Sequence, residues 1–246
     1  VGWFDYGFIL TAYIVASAIK GLTGLGFSTS CLPILALRLD LKVAIPLVII
    51  PSIVSNVTLM IQAGRFREVM RRFWPLYVST IPGLLVGLFI LISINVDVAR
   101  AILGLVLVAY TLLALSNRPF RLSGDWERKL KIVVGLSTGF VNGLTGSQVM
   151  PVLPYLMSLN LHRKVFVQAI NISFTLSSIV MLFGMNHLGY LTANTFWIAV
   201  SSLVPVLLTV HGAGILRNRL SVALYRNLIL IFLLIMGAIL SVRSFF

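Results

Sequence analysis

The chain of 246 residues is 59% hydrophobic and only 10% charged, with 19 basic and 6 acidic residues giving a formal net charge of +13. A soluble domain carries about 25% charged residues, and a mean hydropathy of +1.05 excludes that class in favour of an integral membrane protein. The apolar runs are continuous rather than alternating, which argues against a transmembrane barrel, and the basic residues cluster between runs, a topology signal rather than a nucleic-acid signal.

In chain order, the first element covers residues 3–37 and is interrupted by Lys20-Gly21-Leu22-Thr23-Gly24-Leu25-Gly26. The chain opens on Val1 rather than Met, so native residues are expected ahead of it and a signal peptide is not open to judgement. As one helix, residues 3–37 would form a rod of roughly 50 Å at about 1.5 Å per residue, against a hydrocarbon core of about 30 Å. A fold-back, a re-entrant helical hairpin, is expected instead. Three transmembrane helices follow, over 43–64, 72–93 and 98–116. A polar linker, 118–131, contains Arg118, Arg121, Asp125, Glu127, Arg128, Lys129 and Lys131. A second broken segment, 132–159, carries Asn142-Gly143-Leu144-Thr145-Gly146-Ser147-Gln148, and spans are expected over 164–185, 192–216 and 221–242.

The order of elements therefore repeats, with repeat 1 over 1–117 and repeat 2 over 132–246. Gly21-Leu-Thr-Gly answers Gly143-Leu-Thr-Gly, Leu39-Asp40-Leu41 answers Leu159-Asn160-Leu161, and Pro82 answers Pro205. With a fold-back in each half the number of crossings per half is odd, so the repeats are inverted. The basic groups Arg65/Arg67/Arg71/Arg72, Arg163/Lys164 and Arg217/Arg219 then share the linker's side. The positive-inside rule makes that side cytoplasmic and the N-terminus periplasmic. The expected fold class is an all-α polytopic membrane protein of two inverted repeats, each a broken hairpin and three transmembrane helices.

Unwound backbone at membrane depth is tolerated only where it is buried in protein or lines a wet cavity. Each break precedes a short apolar stretch, 27–37 and 149–158, whose helix start would favour an anion through free amides and the positive end of the macrodipole. Glycines let backbone approach a ligand. The candidate substrate-binding residues are Lys20, Gly21, Thr23, Gly24, Gly26, Ser28 and Thr29 from the first break, and Asn142, Gly143, Thr145, Gly146, Ser147 and Gln148 from the second. Asn56 and Asn171, in the helices after each hairpin, either line the same cavity or bond helix to helix. Lys20 inside the hydrocarbon costs about 2.5–3.5 kcal/mol on insertion scales. It reads either as an anion contact or as a structural bond near the break. His211 is a candidate for substrate contact or an interhelical bond.

All six acidic residues, Asp5, Asp40, Glu68, Asp97, Asp125 and Glu127, fall at span ends or in loops. Cation transport normally places a carboxylate inside a span, so an anion is the expected substrate. One cysteine, Cys31, excludes an intramolecular disulfide and a multi-cysteine metal site. No cofactor or metal is expected. Gly83-xxx-Gly87 and Gly135-xxx-Gly139-xxx-Gly143 read as helix-packing ridges.

The paired glycine-rich breaks, the following Leu-x-Leu and the three-span tail with Pro82-Gly83 resemble the TauE/SafE sulfite exporter family, also called the toluenesulfonate uptake permeases. Where that family shows Gly-x-Gly-Gly-Gly, this chain has Gly24-Leu25-Gly26-Phe27-Ser28 and Gly146-Ser147-Gln148. The resemblance implies a bacterial-type inner-membrane carrier, an exporter of sulfite, sulfoacetate or other organosulfonates, working by alternating access. An anion channel or a small-carboxylate carrier is the alternative within transport. Outside it stand a membrane scaffold subunit and an intramembrane enzyme. The enzyme reading lacks His-Glu-x-x-His, Gly-x-Ser-x-Gly and paired intramembrane carboxylates.

Overall fold

The computed structural model describes residues 3–23, 26–116, 122, 124–216 and 222–243. Every element among them is helical: α1 (Trp3–Thr23), α2 (Phe27–Ala36), α3 (Leu41–Ala63), α4 (Phe66–Ser93), α5 (Val96–Leu115), α6 (Gly124–Thr145), α7 (Val152–Ser158), α8 (Arg163–His187), α9 (Ala193–Ser201), α10 (Leu203–Leu216) and α11 (Val222–Arg243). Among the described residues, six stretches are long and apolar enough to cross a membrane: Asp5–Thr23, Leu41–Ala63, Phe66–Ser93, Val96–Leu115, Arg163–His187 and Ala193–Ile215. Large apolar side chains such as Ile61, Phe89, Phe183, Val204 and Leu208 are exposed along these helices. That surface suits lipid rather than water. The chain is a polytopic helical membrane protein.

Two expected spans differ in detail. The basic turn that ends at Arg72 is the beginning of α4, which starts at Phe66. The expected span 192–216 is interrupted at Ser202, between α9 and α10. Pro205 lies three residues on, has no N–H, and its ring crowds the carbonyl one turn earlier, which accounts for the interruption. The linker residues Arg118 and Arg121, and the basic pair Arg217/Arg219, lie outside the described residues.

Both broken segments return to the face from which they start. Arg38, just past α2, lies 4.7 Å over the Phe8 ring near the start of α1. At the same face, Arg100 donates to Leu39 O at 3.1 Å, Lys42 to Ile92 O and Ile94 O at 3.2 and 3.3 Å, and Tyr6 to Asn194 at 3.3 Å. We call this the first face. At the second face the Leu122 N–H donates to Ser158 O at 3.2 Å, and the Tyr155 hydroxyl to Glu127 O at 2.9 Å. The start of α6 and the end of α7 meet there. Arg72 holds Glu127 through two bonds of 2.7 and 2.9 Å, while Lys131 lies 3.3 Å from the same carboxylate.

The helices pack as α4 on α6, α1 on α10, α5 on α11 and α3 on α8. Exchanging each element with its counterpart by chain order in the other half leaves that set of pairs unchanged. Close approach of α4 and α6 depends on the small-residue ridges. A Cβ added at Gly139 would stand 2.0 Å from Thr80 O, and one at Gly83 2.1 Å from Leu136 O. In the bilayer such backbone proximity, through dispersion and interhelical contacts, takes over what water exclusion does in soluble cores. Among the six candidate spans, α3 and α8 have the largest share of buried residues, and they carry the buried Ser52, Asn56, Asn171 and Ser178.

Candidate functional site

Unwinding begins later than the sequence suggests. Lys20 and Gly21 remain helical in α1, which runs to Thr23, and Asn142 and Gly143 remain helical in α6, which runs to Thr145. Each terminal threonine bonds back into its own last turn, Thr23 Oγ1 to Ile19 O at 2.9 Å and Thr145 Oγ1 to Val141 O at 2.6 Å. The chain then turns through a left-handed glycine, Gly26 at φ 87° and Gly146 at φ 72°. A side chain would be strained in that conformation. Gly24 lies outside the described residues. Gly21 and Gly143 serve packing: a Cβ at Gly21 would stand 2.5 Å from Val210 O of α10, and one at Gly143 2.1 Å from Leu84 O of α4. The second short helix, α7, is also shorter than expected, because Val149 to Pro151 stay outside it.

The two breaks meet around a small polar gap. Ser28 of α2, Asn142, Gly146 and Gln148 of the second break, and Ser178 of α8 line a space of about 10 Å³, roughly one water, walled by Leu32, Ile45 and Val48. Gln148 Nε2 donates to Ser178 Oγ at 2.8 Å. Its Oε1, and the Asn142 Nδ2, are buried without a hydrogen-bond partner among the described residues. Buried polar side-chain atoms are paired in the large majority of cases. An unmatched acceptor and an unmatched donor beside one gap therefore mark a place for a polar guest.

A polar chain runs from this gap into the first repeat. Ser28 Oγ donates to Ser52 Oγ at 2.8 Å, and Asn56 Nδ2 donates to the same Ser52 Oγ at 3.4 Å. Lys20 Nζ in turn donates to Asn56 Oδ1. Both Lys20 and Asn56 are 1% exposed. Lys20 does not line this gap, and its connection to it is through Asn56, Ser52 and Ser28.

On the other side of the first turn of α2 lies a larger cavity of about 240 Å³. Thr23, Gly26, Thr29 and Ser30 line one part of it; Tyr110, Leu153, Phe166, Phe174 and Leu233 are among the side chains lining the rest. Ser28 and Thr29, adjacent in sequence, thus face different spaces. Besides α1, α2 and α11, the cavity is lined from the last turns of α5 and α7 and the first turn of α8. Those helix ends belong to the second face, and Met157 at the cavity's edge is 54% exposed.

The remaining candidates are placed apart from both spaces. Asn171 Nδ2 donates to Val167 O at 2.7 Å within α8, and its Oδ1 is buried without a partner among the described residues. Ser147 is buried, and its N–H donates to Thr145 Oγ1 at 3.1 Å. His211 is exposed on α10 and lines neither space. Sequence reasoning missed Ser52, Ser178 and the aromatic wall. Ser52 and Asn56 are spaced i, i+4, and Asn171, Thr175 and Ser178 i, i+4, i+7. That polar stripe within an apolar helix was the available signal.

No curated protein and no solved structure matches the chain. The family described as "Sulfite exporter TauE/SafE" matches residues 9–240, nearly its whole length. The match spans both breaks and all the helices that place them, and the chain belongs to this family of membrane transporters, the sulfite exporters TauE/SafE.

Proposed function

We propose that the chain is an exporter-type carrier of a small sulfur-containing anion, sulfite, sulfoacetate or another organosulfonate, bound where the two glycine breaks meet. One observation carries this reading: Ser28, Asn142, Gly146 and Gln148, drawn from both breaks, line one gap in which the Asn142 Nδ2 donor lacks a partner among the described residues. Asn142 and the Ser28 and Ser178 hydroxyls offer donors to an anion, as does Gln148 Nε2 once released from Ser178. Lys20 is a positioning residue in this proposal, holding Asn56 and through it the Ser52–Ser28 pair.

The halves act as inverted repeats, 1–117 and 132–246, around the linker 118–131. Supporting this are the opposite faces to which α1–α2 and α6–α7 return, and the helix pairs that survive exchange of the halves. The second face carries Arg65, Arg67, Arg71, Arg72, Arg128, Lys129, Lys131, Arg163 and Lys164, so it is the cytoplasmic side of an inner membrane, with the N-terminus periplasmic. Alternating access moves the anion from the 240 Å³ cavity on the second face to the first. The gap between the breaks, of about 10 Å³, favours a carrier over an open channel.

Flux of labelled sulfite and sulfoacetate into proteoliposomes tests the reading. Saturable flux is expected for the wild type, with at least a tenfold reduction for Gln148→Ala and Asn142→Ala. Absence of flux for every sulfur anion tried would overturn the function, and unaltered flux in both variants would remove the gap from the mechanism.

A further inference from the structure

Two buried amides on α8, outside the gap and the cavity, are held in fixed orientations that each leave one atom unmatched. The Arg65 N–H donates to Gln168 Oε1 at 3.3 Å, which leaves Gln168 Nε2, a donor, without a partner among the described residues. Three residues on, Asn171 Nδ2 donates to Val167 O at 2.7 Å, which leaves Asn171 Oδ1, an acceptor, equally unmatched. Neither amide can flip without losing its backbone bond, because a carbonyl oxygen cannot donate and an amide NH2 does not accept. Both residues are 0% exposed, and a buried polar atom left without a partner is costly. Side chains three apart on a helix are neighbours. A guest shared by these two must accept from Gln168 and donate to Asn171. An anion would meet the Asn171 oxygen and a cation the Gln168 NH2, whereas water satisfies both.

We propose that Gln168 and Asn171 share a buried water, and that this water is the first station of a path along α8 from the second face to the gap. Gln168 marks the outer end, because its partner Arg65 belongs to the turn between α3 and α4. Asn171, Thr175 and Ser178 follow at i+3, i+7 and i+10, which keeps all four within an arc of about 80° and spans about 15 Å of helix, half the hydrocarbon thickness. That arc meets α3, where Thr175 Oγ1 donates to Met60 Sδ at 3.7 Å. At the inner end Ser178 Oγ accepts from Gln148 and lines the gap. Resting on the reading of that gap as the anion site, the path gives water displaced by an arriving anion a way out. It also refills the gap, roughly one water in size, when the anion leaves. The path is separate from the 240 Å³ cavity, which neither Gln168 nor Asn171 lines.

A density map of the purified full chain, at a resolution that shows ordered water, is the direct test. A water within hydrogen-bond distance of both Gln168 Nε2 and Asn171 Oδ1 is expected, and a dry site would overturn the proposal. Thermal midpoints give an independent reading. If the Asn171 oxygen holds a water, Asn171→Leu lowers the midpoint by depriving Gln168 Nε2 of it; if that oxygen is a stranded acceptor, the leucine raises the midpoint and the proposal fails. In proteoliposomes Asn171→Leu should lower the maximal rate of sulfite flux at least fivefold and leave the half-saturating concentration within twofold, since the residue acts on water and not on the anion. An unaltered rate, or half-saturation weakened as much as the rate, would overturn the path. The wild-type map decides the water even if the variant fails to fold. No flux of any sulfur anion by the wild type would sink the transport reading beneath, and the water would still stand or fall on the map.

Discussion

Lys20 and Asn56, 36 residues apart in the chain, are joined by a hydrogen bond in the interior of the bundle, Nζ of the one donating to Oδ1 of the other. Sequence reasoning left each between a substrate contact and a structural bond, and the hydrogen bond between them supplies a structural reason for each to be there. Removing one member of a buried polar pair strands the other at a cost of about 1–3 kcal/mol, whereas removing both with apolar replacements costs little. Asn56→Leu should therefore lower the thermal midpoint of the detergent-purified protein more than the double variant Lys20→Met/Asn56→Leu does. A double variant no more stable than Asn56→Leu would show that Lys20 gains nothing from Asn56.

The contact of α4 with α6 leaves no room for a methyl group. A Cβ at Gly139 would lie 2.0 Å from a backbone oxygen, and backbone cannot step aside as a flexible side chain can. Gly139→Ala should destabilise by more than about 1–3 kcal/mol, the usual cost of overpacking. Gly212 has open space around its Cβ position, so Gly212→Ala should leave the thermal midpoint unchanged or raise it slightly through helix propensity. Equal midpoints for the two variants would contradict this packing.

At the second face, the hydrogen bonds from Arg72 hold the Glu127 carboxyl below the ordinary glutamate range, with its charge and that of Lys131 adding to the effect. For a depressed folded pKa, the stabilisation is fully present above the unfolded value and is lost as pH falls through the lower folded one. The clamp between α4 and α6 should therefore weaken only in acid. Thermal midpoints measured from neutral to acidic pH should show an acid loss in the wild type that Glu127→Gln lacks, the variant already being less stable at neutral pH. The Glu127 side chain is 15% exposed and that of Arg72 41%, so solvent and salt reduce the size of the effect. Parallel pH profiles for wild type and variant would discount the pair.

Much of the fold was legible because each span is one apolar run between charged ends, and because a glycine comes soon after the threonine that closes each broken helix, Gly146 directly after Thr145 and Gly26 three residues after Thr23. The site was legible only in part. The sequence shows polar residues near the breaks but not which way each points, and in a helix that direction changes by about 100° per residue. Ser28 and Thr29 therefore diverge, and Gly21 and Gly143, which belong to the same motifs, turn to neighbouring helices instead. The aromatic wall stayed hidden because Tyr110, Phe166 and Phe174 look like ordinary lipid-facing or core residues until α5, α7 and α8 are brought together.

The orientation of the chain rests on charge alone and is open to a direct labelling test. Cys31 is fully buried, so it should stay silent toward a membrane-impermeant thiol reagent and the native background needs no alteration. Gln62, exposed at the end of α3, lies at the second face, and Asp97, its side chain 62% exposed at the start of α5, lies at the first. In intact spheroplasts Asp97→Cys should label and Gln62→Cys should not, and inside-out vesicles should reverse the pattern. The basic residues that dictate this expectation, Arg65, Arg67 and Arg71 beside Gln62, are exposed, so they are free to meet the cytoplasmic leaflet and its anionic lipids. Labelling of Gln62→Cys from outside would invert the assignment of faces, turn the 240 Å³ cavity toward the periplasm, and make uptake rather than export the direction in which the anion first meets its wall.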